Sequence, residues 1–140
     1  MNRRFILIII VSVILLTVSA VTLFYFFYFI EEVQLINASA RYSGGKSLGF
    51  NVDLDELSFG SLPANAPGHR NFFISHSKPY PLKVKIMVKG NLSQYLTLSK
   101  TDFILSPNVS EKIGGSVKFP QGTAIGNYTA VITIQFSKNI

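Results

Sequence analysis

The chain has 140 residues, 14% of them charged, with no cysteine and a formal net charge of +6. Lack of cysteine excludes a disulfide framework, a thiolate metal site and a cysteine nucleophile. After Glu32, 108 residues remain, enough for one domain with its own core but not for two.

Residues 5–30, beginning at Phe5 and closing at Ile30, read FILIIIVSVILLTVSAVTLFYFFYFI without a charge. About 20 apolar residues span a hydrocarbon core of roughly 30 Å, so this run can cross a membrane with some tilt. A helix is its expected form, because lipid cannot satisfy free backbone groups. Arg3 and Arg4 precede the run, and Glu31 and Glu32 follow it. The positive flank predicts a cytoplasmic tip at 1–4, a transmembrane helix at 5–30 and an extracytoplasmic domain at 31–140. Phe24, Tyr25, Phe26, Phe27, Tyr28 and Phe29 suit the aromatic belt of the outer interface. The alternative is a secretory signal cleaved after Ala20, since Val18-Ser19-Ala20 has small residues at the right spacing. A normal apolar signal core is shorter than this run, which favours a retained anchor in contact with membrane lipid.

The charge is uneven. Residues 1–32 are neutral overall, so the whole +6 falls on residues 33–140. Such a surface can meet anionic headgroups, acidic glycans or an acidic protein, and it also serves simply to keep the domain soluble. The lysines are scattered and the expected location is outside the cell, so nucleic acid is not an expected partner.

A first strand is expected at 31–40, directly after the membrane and without a flexible linker. ARYSGGKS at 40–47 fits a loose phosphate-loop pattern, but no helix follows it, so a turn is the better reading. Residues 48–54 alternate as a strand. Asp53, Asp55 and Glu56 form an acidic cluster that lacks the spacing of a dedicated calcium loop. Residues 58–60 are extended, and LPANAPGHR is a loop by its Pro and Gly content. Residues 71–77 form a strand with Phe72 and Ile74 on one face.

Residues 82–89 alternate cleanly. Leu82, Val84, Ile86 and Val88 face in, and Lys83, Lys85, Met87 and Lys89 face out, as in a half-buried antiparallel strand. Short strands are expected at 95–98 and 103–105. Ile113, Val117 and Phe119 share a face. The last strand sets Tyr128, Ala130, Ile132, Ile134 and Phe136 against Thr129, Thr133, Gln135 and Ser137. Seven to nine short strands with turns about every ten residues predict an all-β antiparallel sandwich of immunoglobulin-like kind behind a single N-terminal helix.

The order Leu57-Ser58-Phe59-Gly60, a loop to Gly68, a strand at 70–75 and Pro81-Leu82-Lys83-Val84 resembles the ASH and major-sperm-protein-like group of immunoglobulin-like domains. Residues 120–136, with Gly126-Asn127-Tyr128, resemble the last hairpin of sugar-hydrolase-associated immunoglobulin-like domains. The match covers about 80 residues and departs at Ser75-His76-Ser77, where the first group usually has an Asn. These resemblances imply a fold and a non-catalytic spacer or binding role, not an active site. Tyr128 is either a tyrosine corner, its hydroxyl tied to nearby backbone, or a plain core residue.

His69 and His76 would point to opposite faces of a strand and cannot share a metal. No nucleophile elbow or catalytic carboxylate pair appears, so no enzyme, cofactor or small-molecule substrate is expected. Asn37, Asn91, Asn108 and Asn127 each open an N-glycosylation sequon. Absent cysteine, four sequons and a Lys-rich surface suit an archaeal cell surface. Archaeal motility-anchor proteins share the layout of one N-terminal helix and an outer β-sandwich. Two readings follow. In one, an anchored module docks onto a surface layer, a filament or an acidic glycan. In the other, the chain is an accessory subunit of a larger membrane complex.

Overall fold

The computed structural model describes residues 2–44 and 56–139. The strand expected at 48–54, the acidic residues Asp53 and Asp55, and the end of the phosphate-loop-like pattern lie outside the described residues.

Helix α1 spans Arg3–Phe29 and buries none of its residues within the chain's own fold. It is long and apolar enough to cross a membrane. It begins two residues before the expected run and takes in both arginines, with Phe5 N and Ile6 N donating to the Asn2 carbonyl. The aromatic last turns stay helical, and their rings pack one turn apart: Phe24 stacks on Tyr28 at 5.2 Å, and Tyr25 lies tilted against Phe29 at 5.0 Å.

The helix hands over to strand at the next residue. Strand β1 is Ile30–Tyr42, followed by β2 Glu56–Leu62, β3 Gly68–Ile74, β4 Leu82–Lys89, β5 Leu96–Leu98, β6 Asp102–Leu105, β7 Glu111–Val117 and β8 Gly126–Lys138. These form a five-stranded sheet in the order β2-β1-β8-β4-β6 and a three-stranded sheet in the order β3-β7-β5. Ile30 joins the strand because it is already in register with Ser137 of β8.

One pair departs from the antiparallel expectation. β1 and β2 run parallel, from Asn37 opposite Glu56 to Tyr42 opposite Leu62. A parallel pair needs a connection of about a dozen residues, which the stretch between the two strands supplies.

The core fills the space between the sheets. Ala38, Ala40 and Tyr42 of β1 face inward, with Leu82, Val84 and Ile86 of β4, and Ala130, Ile132, Ile134 and Phe136 of β8. From the other sheet come Phe72, Ile74, Ile113 and Val117. Strand β4 has the limits and the inward-facing residues that its alternation predicts, although Val88 is only partly buried. Strand β3 begins and ends three residues earlier than expected.

The two ends of the core differ. At the end far from α1, Tyr42, Tyr95, Phe119 and Tyr128 pack with ring centroids 4.9 to 5.4 Å apart. At the end next to α1, His76 is buried beside Phe136 and its Nε2 lies 3.0 Å from the Leu105 carbonyl. The Tyr128 hydroxyl donates to the Ala124 carbonyl at 2.7 Å. That bond ties the start of β8 to the turn before it, which is the geometry of a tyrosine corner.

Candidate functional surfaces

The first surface is the point where the helix becomes a strand. Glu31 has three donors on its carboxylate: the Tyr80 hydroxyl at 3.0 Å, Lys78 Nζ at 3.2 Å and Lys138 Nζ at 3.4 Å. Its side chain is only 14% exposed. Lys138 also stands 4.2 Å from the centre of the Tyr28 ring, in the last turn of α1. The cluster thus gathers the start of β1, the β3–β4 loop, the end of β8 and the helix itself.

The electrostatics follow from those contacts. The Tyr80 hydroxyl, and then Lys78, hold the Glu31 carboxyl below the usual carboxylate range. Glu31 in turn raises Lys78 above the ordinary lysine value. Sequence reasoning treated Glu31 only as a flanking charge. Its partners lie 47 and more residues away, so nothing local could reveal the cluster.

The second surface is the outer face of the three-stranded sheet. In register across it lie His69 and Ser116, Asn71 and Gly114, then Phe73 and Lys112. Thr97 of β5 faces Ser116 from the other side. Ser99 N donates to the Gly114 carbonyl at 2.8 Å, and Gly114 N donates to Ser99 Oγ at 2.9 Å. A depression of about 290 Å³ lies between His69 and Asn71 on one wall and Thr97 and Ser99 on the other.

The sequence-predicted residues are dispersed. His69 is exposed on β3, while His76 is buried beyond its end. All four sequon asparagines are exposed. Asn37 lies within β1 between its two neighbouring strands. The Asn91 amide oxygen accepts from Thr129 N at 2.7 Å. Asn108 occupies a turn in the left-handed region, at φ 58°, and Asn127 is the second residue of β8, opposite Arg41. Among the described residues, no three His, Cys, Asp or Glu side chains gather to hold a metal ion.

Comparison with protein-family models, with curated proteins and with solved structures finds no match to this chain. What stands is the architecture of the described residues: an apolar N-terminal helix followed by eight strands in two packed sheets.

Proposed function

We propose that this chain is a non-catalytic, single-pass membrane module that holds an immunoglobulin-like β-sandwich beside the outer leaflet to dock another surface component. The carrying observation is the absence of a linker: α1 ends at Phe29 and β1 begins at Ile30, with the Glu31 cluster bracing the junction. A domain that only needed to be tethered would have no use for such a joint. In this reading Arg3 and Arg4 keep the N-terminus cytoplasmic, the domain lies outside, and Asn37, Asn91, Asn108 and Asn127 are acceptors for N-linked glycans. The archaeal surface remains the setting that the composition favours.

The second reading, an accessory subunit of a membrane complex, has one observation in its favour. Ser12, Leu15, Leu16, Ser19, Ala20 and Leu23 line a shallow notch along α1 where another helix can seat. Against it, the hydroxyls of Thr17, Ser19 and Thr22 already donate to carbonyls one turn back at 2.8 Å, so they do not require a polar partner.

Purification from native membranes in mild detergent separates the two. Docking predicts a protein free of stoichiometric membrane partners and bound to envelope fragments. A fixed multi-subunit complex lacking envelope material would refute it. Protease added outside intact cells should reach residues 33–140, and protection after the domain is loosened by heat would overturn the orientation.

A further inference from the structure

Gly114 sits in the middle of β7, the central strand of the three-stranded sheet, where glycine is a poor choice. It gives up side-chain packing and costs roughly 0.5–1 kcal/mol in backbone entropy relative to alanine. None of the usual reasons for a strand glycine applies. The pairing with β3 runs unbroken from Gly68–Val117 to Ile74–Glu111, so there is no bulge. Gly114 is not among the glycines with positive φ. An added Cβ would lie 3.4 Å from Asn71 Oδ1 and 3.8 Å from Ser99, which is ordinary contact. Its neighbour Gly115 is different: there a Cβ would press on the Phe59 ring at 3.2 Å, so core packing explains it. What Gly114 provides is a low floor on the outer face, flanked by Asn71 and Ser99.

The walls around that floor match a polyhydroxylated ligand. The Asn71 amide, the His69 ring and the Thr97 and Ser116 hydroxyls have no partner among the described residues. Each of these groups carries both donor and acceptor capacity. Phe73 continues the same face of β3, 68% exposed, and offers a flat apolar surface about 7 Å along the strand from Asn71. Lys112 stands directly opposite Phe73, exposed and with no acidic partner among the described residues. The depression itself, about 290 Å³, falls just below the ~300–1,000 Å³ typical of ligand sites, as suits a shallow site that holds one ring of an extended chain.

We infer that this face binds an acidic oligosaccharide. One sugar ring lies over Gly114 and bonds to Asn71 and to the Thr97 and Ser116 hydroxyls, its neighbour stacks on Phe73, and a uronate carboxylate pairs with Lys112. The inference rests on the docking reading above and names its ligand class.

The test uses the full chain in lipid nanodiscs, titrated with tetragalacturonate and with neutral galactotetraose. The acidic sugar should bind at least tenfold more tightly, and added salt should narrow that gap. Lys112→Met should remove the preference for charge, and Phe73→Ala should weaken both sugars at least fivefold. Gly114→Val is the sharpest variant, because a β-branched residue suits a strand while filling the floor. It should abolish binding while the melting temperature shifts by no more than a few degrees. Unchanged binding by Gly114→Val, or no binding of either sugar at millimolar concentration, would overturn the inference. Capture of envelope fragments by the wild type in that last case would spare the docking reading, whereas loss of both would sink the two together.

Discussion

At the scale of single residues, Glu31 shows how one carboxylate links distant parts of the chain. Its pKa is depressed in the folded state, so the stabilisation it provides is complete above the ordinary carboxylate value and is lost as pH falls through the native one. Lys78 has the opposite sign: its contribution holds at neutral pH and is lost as pH rises through its raised value. The wild type should therefore lose melting temperature on acidification, and Glu31→Gln should start lower at pH 7 and show a shallower acid limb. Thermal unfolding followed by circular dichroism across pH 3–8 checks this, and parallel curves would refute it. Tyr128→Phe removes only the hydroxyl that reaches the Ala124 carbonyl. It should cost about 0.5–1.5 kcal/mol in urea unfolding, whereas a plain core tyrosine would lose almost nothing. Tyr128 was legible from its Gly-x-Tyr setting, with both roles open. Glu31 was not, because its partners converge only in three dimensions.

At the scale of elements, legibility followed how strictly a segment alternates. Strand β4 sets lysines against aliphatics, and β8 sets Thr and Gln against Ile and Phe, so a one-residue slip would bury charge or expose the core. Strand β1 mixes apolar and polar residues on both faces in its first half, where Glu31, Val33 and Leu35 alternate with Glu32, Gln34 and Ile36. Val33 and Leu35 look like core residues, yet they are 48% and 67% exposed, and the inward positions are Ala38, Ala40 and Tyr42. The parallel pairing of β1 with β2 was also hidden, since register between distant strands leaves no periodic mark. The contrast yields a prediction. Phe136→Ala, at a fully buried site, should cost about 3–5 kcal/mol, while Leu35→Thr should stay within about 0.5 kcal/mol. Equal losses in denaturant titrations would show that the assigned facing of β1 is wrong. The sheet face around Gly114 escaped sequence reading for another reason: a glycine reveals its purpose only once bulge, φ and packing have been checked.

For the whole molecule, the joint between helix and sandwich sets the geometry. Inserting six Gly and Ser residues between Phe29 and Ile30 adds a coil of roughly 13 Å root-mean-square length and detaches Tyr28 from Lys138. The domain's melting temperature should shift by only a few degrees, because the core lies beyond the joint. Spin-label distances from the domain to the lipid surface should broaden markedly. A distribution as narrow as in the wild type would mean that other contacts fix the domain's height. The apolar helix and the sandwich were readable from hydropathy and alternation, but the contacts that tie them together were not.

The long ladder between β1 and β8 has a mechanical meaning. The strand that leaves the helix is registered against β8 from Ile30–Ser137 to Tyr42–Gly126, and its far half is held by β2 as well. A pull between the helix and the body of the sandwich acts along β1. Its hydrogen bonds are then loaded in shear and share the force together, instead of opening one after another as in an unzipping hairpin. The strand that leaves the helix is thus arranged to carry tension along its whole length.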